Sequence, residues 1–166
     1  MSAKPSAFVV AVDTREQLPF AFRNITGDRG RVIDIEACRV GLKTGDYSIQ
    51  GMEDVVAIER KSKTDLYGTV GRGRARFKKE IGRLAAMAAP AVVLECDLAS
   101  LLRRPARSRV SSSSVLNSLI AWSVRHRIPV WPCPNRRFAE IVTYRLLCHF
   151  WAEHERRRRE GCPDAG

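Results

Sequence analysis

Asp46, Glu59 and Lys61 stand in the pattern Asp-x(12)-Glu-x-Lys, and these residue types in that order suit one kind of chemistry. Carboxylate oxygens are hard ligands for Mg2+, and a bound divalent ion acidifies its water and neutralises charge on a phosphodiester. A lysine beside them orients the attacking water or steadies the charged phosphate. Side chains alternate between the faces of an extended strand, so Glu59 and Lys61 point one way and Arg60 the other. Convergence of all three needs the Asp46 segment to lie alongside. Residues 46–49 and 55–60 flank a connection containing Gly51, which reads as a hairpin and places Asp46 and Glu59 at one end of a sheet.

That spacing alone fits the PD-(D/E)XK nucleases and recurs by chance in many proteins. The longer string is more specific. Gly45-Asp46-Tyr47 followed by Glu59-Arg60-Lys61-x-x-x-Asp65 resembles the GDx(n)ERKxxxD signature of the XPF/MUS-type structure-specific endonuclease family, within the PD-(D/E)XK superfamily. Val12-Asp13-Thr14-Arg15-Glu16 is similar to the family's first-strand motif. Gly73-Arg74-Ala75-Arg76-Phe77-Lys78-Lys79-Glu80 is similar to the arginine-aromatic stretch that opens the following helix. The resemblance covers residues 8–151. It implies a restriction-endonuclease-like α/β fold, a mixed central β-sheet flanked by helices. It also implies an endonuclease dependent on Mg2+ (or Mn2+) that cuts branched, flap or fork DNA in repair or recombination. Family members pair their nuclease domains, which makes a homodimer or a helper DNA-binding protein an expected partner. They usually carry a helicase-like region, a tandem helix-hairpin-helix domain, or both, for which 166 residues leave no room.

Asp46 and Glu59 are therefore expected as metal ligands, with Asp13 as a further acidic ligand, directly or through water, and Lys61 as the catalytic lysine. Asp13 closes an apolar run, where an acid is a turn former or a site residue. Glu16 supports the site. Arg60 is expected to form a structural ion pair with Asp65 or another acid at the strand–helix junction. Arg15, Lys63, Arg72, Arg74 and Arg76 are the expected DNA contacts, the last three beside glycines that admit close backbone approach. Ser111 to Ser114 read as helix N-capping or, with Arg107 and Arg109, as an anion site. His126, His149 and His154 have no ligand-pair spacing, and Trp122, Phe150 and Trp151 read as core or subunit interface. Two rival readings stand beside this one: a Holliday-junction resolvase or other PD-(D/E)XK nuclease, and a non-catalytic DNA-binding or scaffolding subunit. Degenerate family members lose the acidic and lysine positions, all of which are present here.

The composition agrees with a nucleic-acid partner. The net charge of +11 attracts polyanions, and a hydrophobic fraction of 45% in 166 residues supports one core. No apolar run is long enough to span a membrane. Residues 1–5 lack the apolar segment of a signal peptide, so the chain is expected inside the cell, nucleoid-associated if prokaryotic or viral. Five cysteines (Cys38, Cys96, Cys133, Cys148, Cys162) form no Cys-x-x-Cys pair, which points to reduced thiols rather than zinc or disulfides.

The elements that must hold the site follow from periodicity. Strands are expected at residues 7–12, 32–37, 46–49, 55–60, 91–96 and 130–131. Helices are expected after a Ser62 or Thr64 cap, from Arg74 to Ala89 with Pro90 as its stop, from Val115 to about Arg127, and from an Asn135 cap to about Glu155. Residues 99–110 read as a mobile basic loop. A nuclease domain at 1–155 and a basic tail at 156–166 complete the expected organisation.

Overall fold

A computed structural model describes residues 4–27 and 30–161. Residues 1–3, Asp28, Arg29, Cys162 and the end of the expected basic tail lie outside the described residues.

The chain builds a six-stranded sheet in the order β4-β2-β5-β6-β7-β8. Its strands are β2 (Val10–Asp13), β4 (Ala37–Val40), β5 (Tyr47–Ile49), β6 (Val56–Lys61), β7 (Ala89–Leu94) and β8 (Val130–Pro132). The three strands from β6 to β8 run parallel, β5 is antiparallel to both β2 and β6, and β2 pairs in parallel with β4. A separate parallel pair joins β1 (Lys4–Pro5) to β3 (Ile33–Asp34). The expected mixed α/β sheet is thus the observed one.

Period-two alternation along β6 divides the core. Val56 and Ile58 belong to a cluster that includes Ala139, Tyr144 and Leu147 of α5 (Arg136–Arg159). Ala57 belongs to the opposite cluster, with Leu66 and Tyr67 of α1 (Lys63–Val70), Phe77 and Ile81 of α2 (Arg74–Ala85), Leu101 of α3 (Leu98–Leu101) and Leu119 of α4 (Ser112–His126). One long helix therefore covers one face and four shorter ones the other. Leu147 is buried, and Phe150 and Trp151 pack against the first cluster, so much of the apolar surplus of α5 covers the sheet. Ile120 and Val124 of α4 stay exposed.

Several elements differ from expectation, each for a local reason. The strand expected at 32–37 is split: only Ile33–Asp34 pairs with β1, and the sheet edge is taken by Ala37–Val40. Helix α2 stops at Ala85, and Pro90 lies inside β7 rather than ending a helix. In β7, Ala89 donates to Val55 on the β6 side and Val92 to Pro129 on the β8 side. The missing N–H of Pro90 thus falls on the β8 side, where pairing starts only at Val92, so no ladder bond is lost. Helix α5 does not fray after Glu155. Arg156 and Arg157 pair with Glu153, Arg158 pairs with Glu155 and Arg156 also pairs with Glu160, and such i,i+3 and i,i+4 pairs carry the helix to Arg159. The 99–110 segment opens with α3, capped by Asp97. Among the described cysteines all are free thiols, Cys96 and Cys133 buried, Cys38 and Cys148 half-buried. No described helix is long and apolar enough to cross a membrane.

Gly45 joins the loop to β5 at a point where no other residue fits. Its φ is +76°, and a Cβ there would lie 3.1 Å from the carbonyl oxygen of Ile58 and 3.2 Å from the Ala57 Cβ. The close approach of the two strands sets where Asp46 begins. A Gly45→Ala variant is expected to lose at least about 1–2 kcal/mol of stability from the left-handed backbone alone, read by urea denaturation, with Asp46 displaced from β6.

Candidate active site

The hairpin does what its sequence promised. The Asp46 N–H donates to the Ile58 carbonyl at 2.8 Å, and the Arg60 N–H donates to Asp46 Oδ2 at 2.7 Å. One carboxylate oxygen of Asp46 is thereby fixed against the Glu59–Arg60 peptide. On the same face Lys61 Nζ donates to Glu59 Oε1 at 2.7 Å. Glu59 is only 3% exposed. Asp46, Glu59 and Lys61 line one open cleft of about 720 Å3 together with Asp13, Arg15, Arg76 and Glu80.

The electrostatics of this face are those of buried negative charge without enough compensation. Burial is the largest influence on Glu59 and pushes it up to about 8; the Asp46 charge adds to the rise and Lys61 opposes it. Burial likewise pushes Asp46 up to about 6, against the Arg60 N–H, with Glu16 adding. Burial works against the Lys61 ammonium, but Glu59, Glu80 and Asp46 outweigh it and hold the lysine above its usual value. A divalent cation is the natural complement of such a pair. The donor set fits Mg2+: two hard carboxylates, and a cleft open to water and phosphate for the remaining positions.

Asp13 shares the cleft but is engaged elsewhere. Arg15 donates from Nε and Nη2 to its carboxylate and from its backbone N–H as well. Burial alone would raise Asp13, but these bonds outweigh it and hold the group below the usual carboxylate value. Among the described residues no three His, Cys, Asp or Glu side chains gather closely enough to hold a metal ion together. The structure therefore brings Asp46 and Glu59 together and leaves Asp13 paired with Arg15, itself anchored on the Leu42 carbonyl.

Arg60 points to the opposite face, as alternation requires. Its partner is not Asp65: it bonds Glu16 at 3.2 Å and Glu95 at 2.7 Å, with its guanidinium 5.8 Å from the Phe20 ring centroid. Arg136 reaches the same Glu95 oxygen at 2.6 Å. Asp65 is instead tied to the helix cap, where Ser62 Oγ donates to its carboxylate and accepts from its N–H. Ser62, not Thr64, is the cap of α1.

Two acids escaped the sequence reading as site residues. Glu80 Oε2 lies 3.9 Å from Lys61 Nζ, so the ammonium sits between Glu59 and Glu80, with the Phe77 ring centroid 4.5 Å away. The signal was available: Glu80 follows the buried Phe77 by three residues on α2, and i,i+3 positions share a helix face. Glu95 lies one residue beyond the buried end of β7, where a carboxylate needs a partner. The expected DNA-binding arginines separate. Arg76 lines the Asp46–Glu59 cleft, Arg74 a cleft between α2 and α4, and Arg72 one between α1 and the loop before α4. Lys63 opens α1 and lines none of these three clefts.

With this geometry in place, the comparisons give the chain its class. The ERCC4 domain family matches residues 12–145, and the chain belongs to that family. Its fold is that of XPF from Aeropyrum pernix. One solved structure of that protein, a complex with DNA, superposes with a TM-score of 0.64 at 20% identity over 88% of this chain and 66% of the other. A second solved structure of it gives a TM-score of 0.65 at 20% identity, over 90% and 68% of the two chains. The present chain thus spans about two-thirds of their length. Among curated proteins, none matches the chain in sequence.

The raised carboxylates predict a pH dependence of stability. Unfolded carboxyls titrate near pH 4, so the metal-free folded state holds extra protons between about pH 4 and pH 8. The stabilising contribution of the Asp46–Glu59 pair is complete below that window and is lost as pH rises through it. In EDTA the melting temperature should fall from pH 5 to pH 8.5, and Glu59→Gln should flatten the slope. Added Mg2+ should restore stability most at the alkaline end. The depressed Asp13 acts with opposite sign, but only below about pH 4, outside this window.

Proposed function

We propose that the chain is a divalent-metal-dependent endonuclease that hydrolyses DNA phosphodiester bonds at branched, flap or fork structures. The observation that carries this reading is the juxtaposition of Asp46, Glu59 and Lys61 in one open cleft, with both carboxylates raised by burial. Family membership, the XPF fold and the DNA-bound state of one similar structure support it. The non-catalytic reading is disfavoured because Asp46, Glu59 and Lys61 are all present and line one cleft.

Asp46 and Glu59 would hold the metal ion. When bound, Mg2+ or Mn2+ supplies Lewis-acid activation of water and neutralises charge on the phosphate. Lys61 stays protonated between Glu59 and Glu80, so it donates hydrogen bonds and orients water or phosphate oxygen rather than abstracting a proton. The Arg60 N–H holds Asp46 in one rotamer, and the Glu16–Arg60–Glu95–Arg136 network fixes β6 from behind. Asp13 positions Arg15 at the cleft mouth, where its side chain is 69% exposed and available to a phosphate. Arg76 offers a second cation on the α2 wall. A DNA-cleaving role of this kind would be carried out inside the cell.

Flap, fork, four-way and linear DNA incubated with Mg2+ or with EDTA test the reading. Cleavage in Mg2+ alone, fastest on flap or fork, is expected; preference for the four-way junction would favour a resolvase, and no cleavage of any substrate the scaffolding role. Asp46→Asn, Glu59→Gln and Lys61→Ala should each slow cleavage by about 100-fold or more. DNA affinity should hold or rise where a carboxylate is neutralised. Near-normal cleavage by Glu59→Gln would contradict the assignment.

A further inference from the structure

We propose that the cleft between α1 and the loop preceding α4 is a second phosphodiester-binding subsite, which takes the single-stranded arm of the substrate after it crosses α1 at Gly68. The proposal rests on the nuclease reading of the Asp46–Glu59 cleft and adds to it where the rest of the nucleic acid lies. The cleft measures about 830 Å3 and is lined by Arg72, Arg107 and Arg109, with no acidic residue. It shares Thr64 and Gly68 with the catalytic cleft. The two clefts therefore adjoin at α1, whose residues line both.

The charge distribution gives this cleft a purpose. Six acidic and six basic side chains line the catalytic cleft, so that lining has no net attraction for a polyanion. The neighbouring cleft is purely cationic. Many arginines of this chain are committed to acids, among them Arg15, Arg60, Arg136, Arg137 and Arg156. Among the described residues no acid pairs with Arg72, Arg107 or Arg109, although the loop holding the last two is tied down by the Ser108 N–H on the Pro105 carbonyl and the Val110 N–H on Ser108 Oγ. Exposed guanidinium groups lining a concave surface without counter-ions are a phosphate-binding arrangement.

Gly68 supplies the second line of argument. It sits in the middle of α1 and is exposed, and a Cβ there would meet nothing within 4 Å. A mid-helix glycine weakens a helix relative to alanine, and neither packing nor backbone conformation at this position requires one. Its effect is to keep α1 low between the two clefts. A cleft of this volume accommodates small-molecule-sized segments, which suits a few nucleotides of a single strand rather than a duplex. Its few apolar residues, Tyr67, Pro105 and Val110, leave recognition to the phosphates, without sequence preference.

The test measures binding of the full chain in Ca2+, which occupies carboxylate sites, to a flap DNA and to a fully paired duplex of equal length, with cleavage in Mg2+ followed in parallel. Replacing both Arg107 and Arg109 by alanine should weaken flap binding about tenfold. It should lower the magnitude of the salt slope by about 1.4, two single-strand phosphate contacts at about 0.7 each. Duplex binding should stay within about twofold of wild type, the scatter expected without a lost phosphate contact. Replacing both by lysine should keep most of the flap affinity. Gly68→Leu should weaken flap binding while leaving the melting temperature equal or higher, a combination that mere structural damage does not produce. Equal losses on flap and duplex, or unchanged flap binding in the alanine variant, would overturn the subsite. Wild-type protein that binds with this pattern but cleaves nothing would overturn the nuclease reading and leave the subsite standing.

Discussion

Burying two carboxylates side by side is the constraint around which this molecule is organised. Desolvation of Asp46 and Glu59 raises both, and a folded chain tolerates that only if other groups offset part of the charge. Here the offset is incomplete by construction. Lys61 neutralises one oxygen of Glu59, a backbone N–H serves one oxygen of Asp46, and the remaining deficit faces an open cleft. Such a site attracts positive charge because its own protein does not finish the compensation. A fully paired version would be more stable and chemically inert.

The opposite face of β6 shows what a finished network looks like. Arg60 meets Glu16 and Glu95, and Arg136 from α5 joins the same Glu95, so charges from the first loop, two strands and the last helix close on one point. The Arg60 side chain is 11% exposed, and loss of Arg60 would leave the buried Glu16 carboxylate without a cation, a change that typically costs about 3–5 kcal/mol. Consecutive residues of one strand thus serve opposite ends: Glu59 and Lys61 hold an unsatisfied site, and Arg60 makes the backbone beneath it rigid. Precision in the placement of Asp46 and Glu59 derives from that rigidity, since catalytic geometry tolerates little displacement.

Much of this was legible before the structure. The hairpin, the Ser62 cap, the Asn135 cap and the first strand all follow from patterns within a few residues, where local physics decides the outcome. What escaped depends on partners far away in sequence. Pro90 looks like a helix terminator until β8 is known to begin two residues late. The edge strand Ala37–Val40 carries a charged, half-exposed pattern that only its pairing with β2 turns into sheet. Arg60 had to choose among acids, and the choice of Glu16 and Glu95 over Asp65 depends on which loops fold against the α5 face. Asp13 stands at a strand end in the same cleft, and its pairing with Arg15 two residues on was not readable from the pattern.

The position of β6 in the sheet has one more implication. It is an interior strand, flanked by β5 and β7 and covered by helices on both faces, and backbone amides in such places exchange with solvent only when most of the molecule unfolds. The end of β6 that carries Glu59 and Lys61 therefore does not loosen by local opening alone. Control over this site would instead act on its approaches, the Arg15 turn and the loop before α4, which lie outside the sheet and are held by only a few hydrogen bonds each.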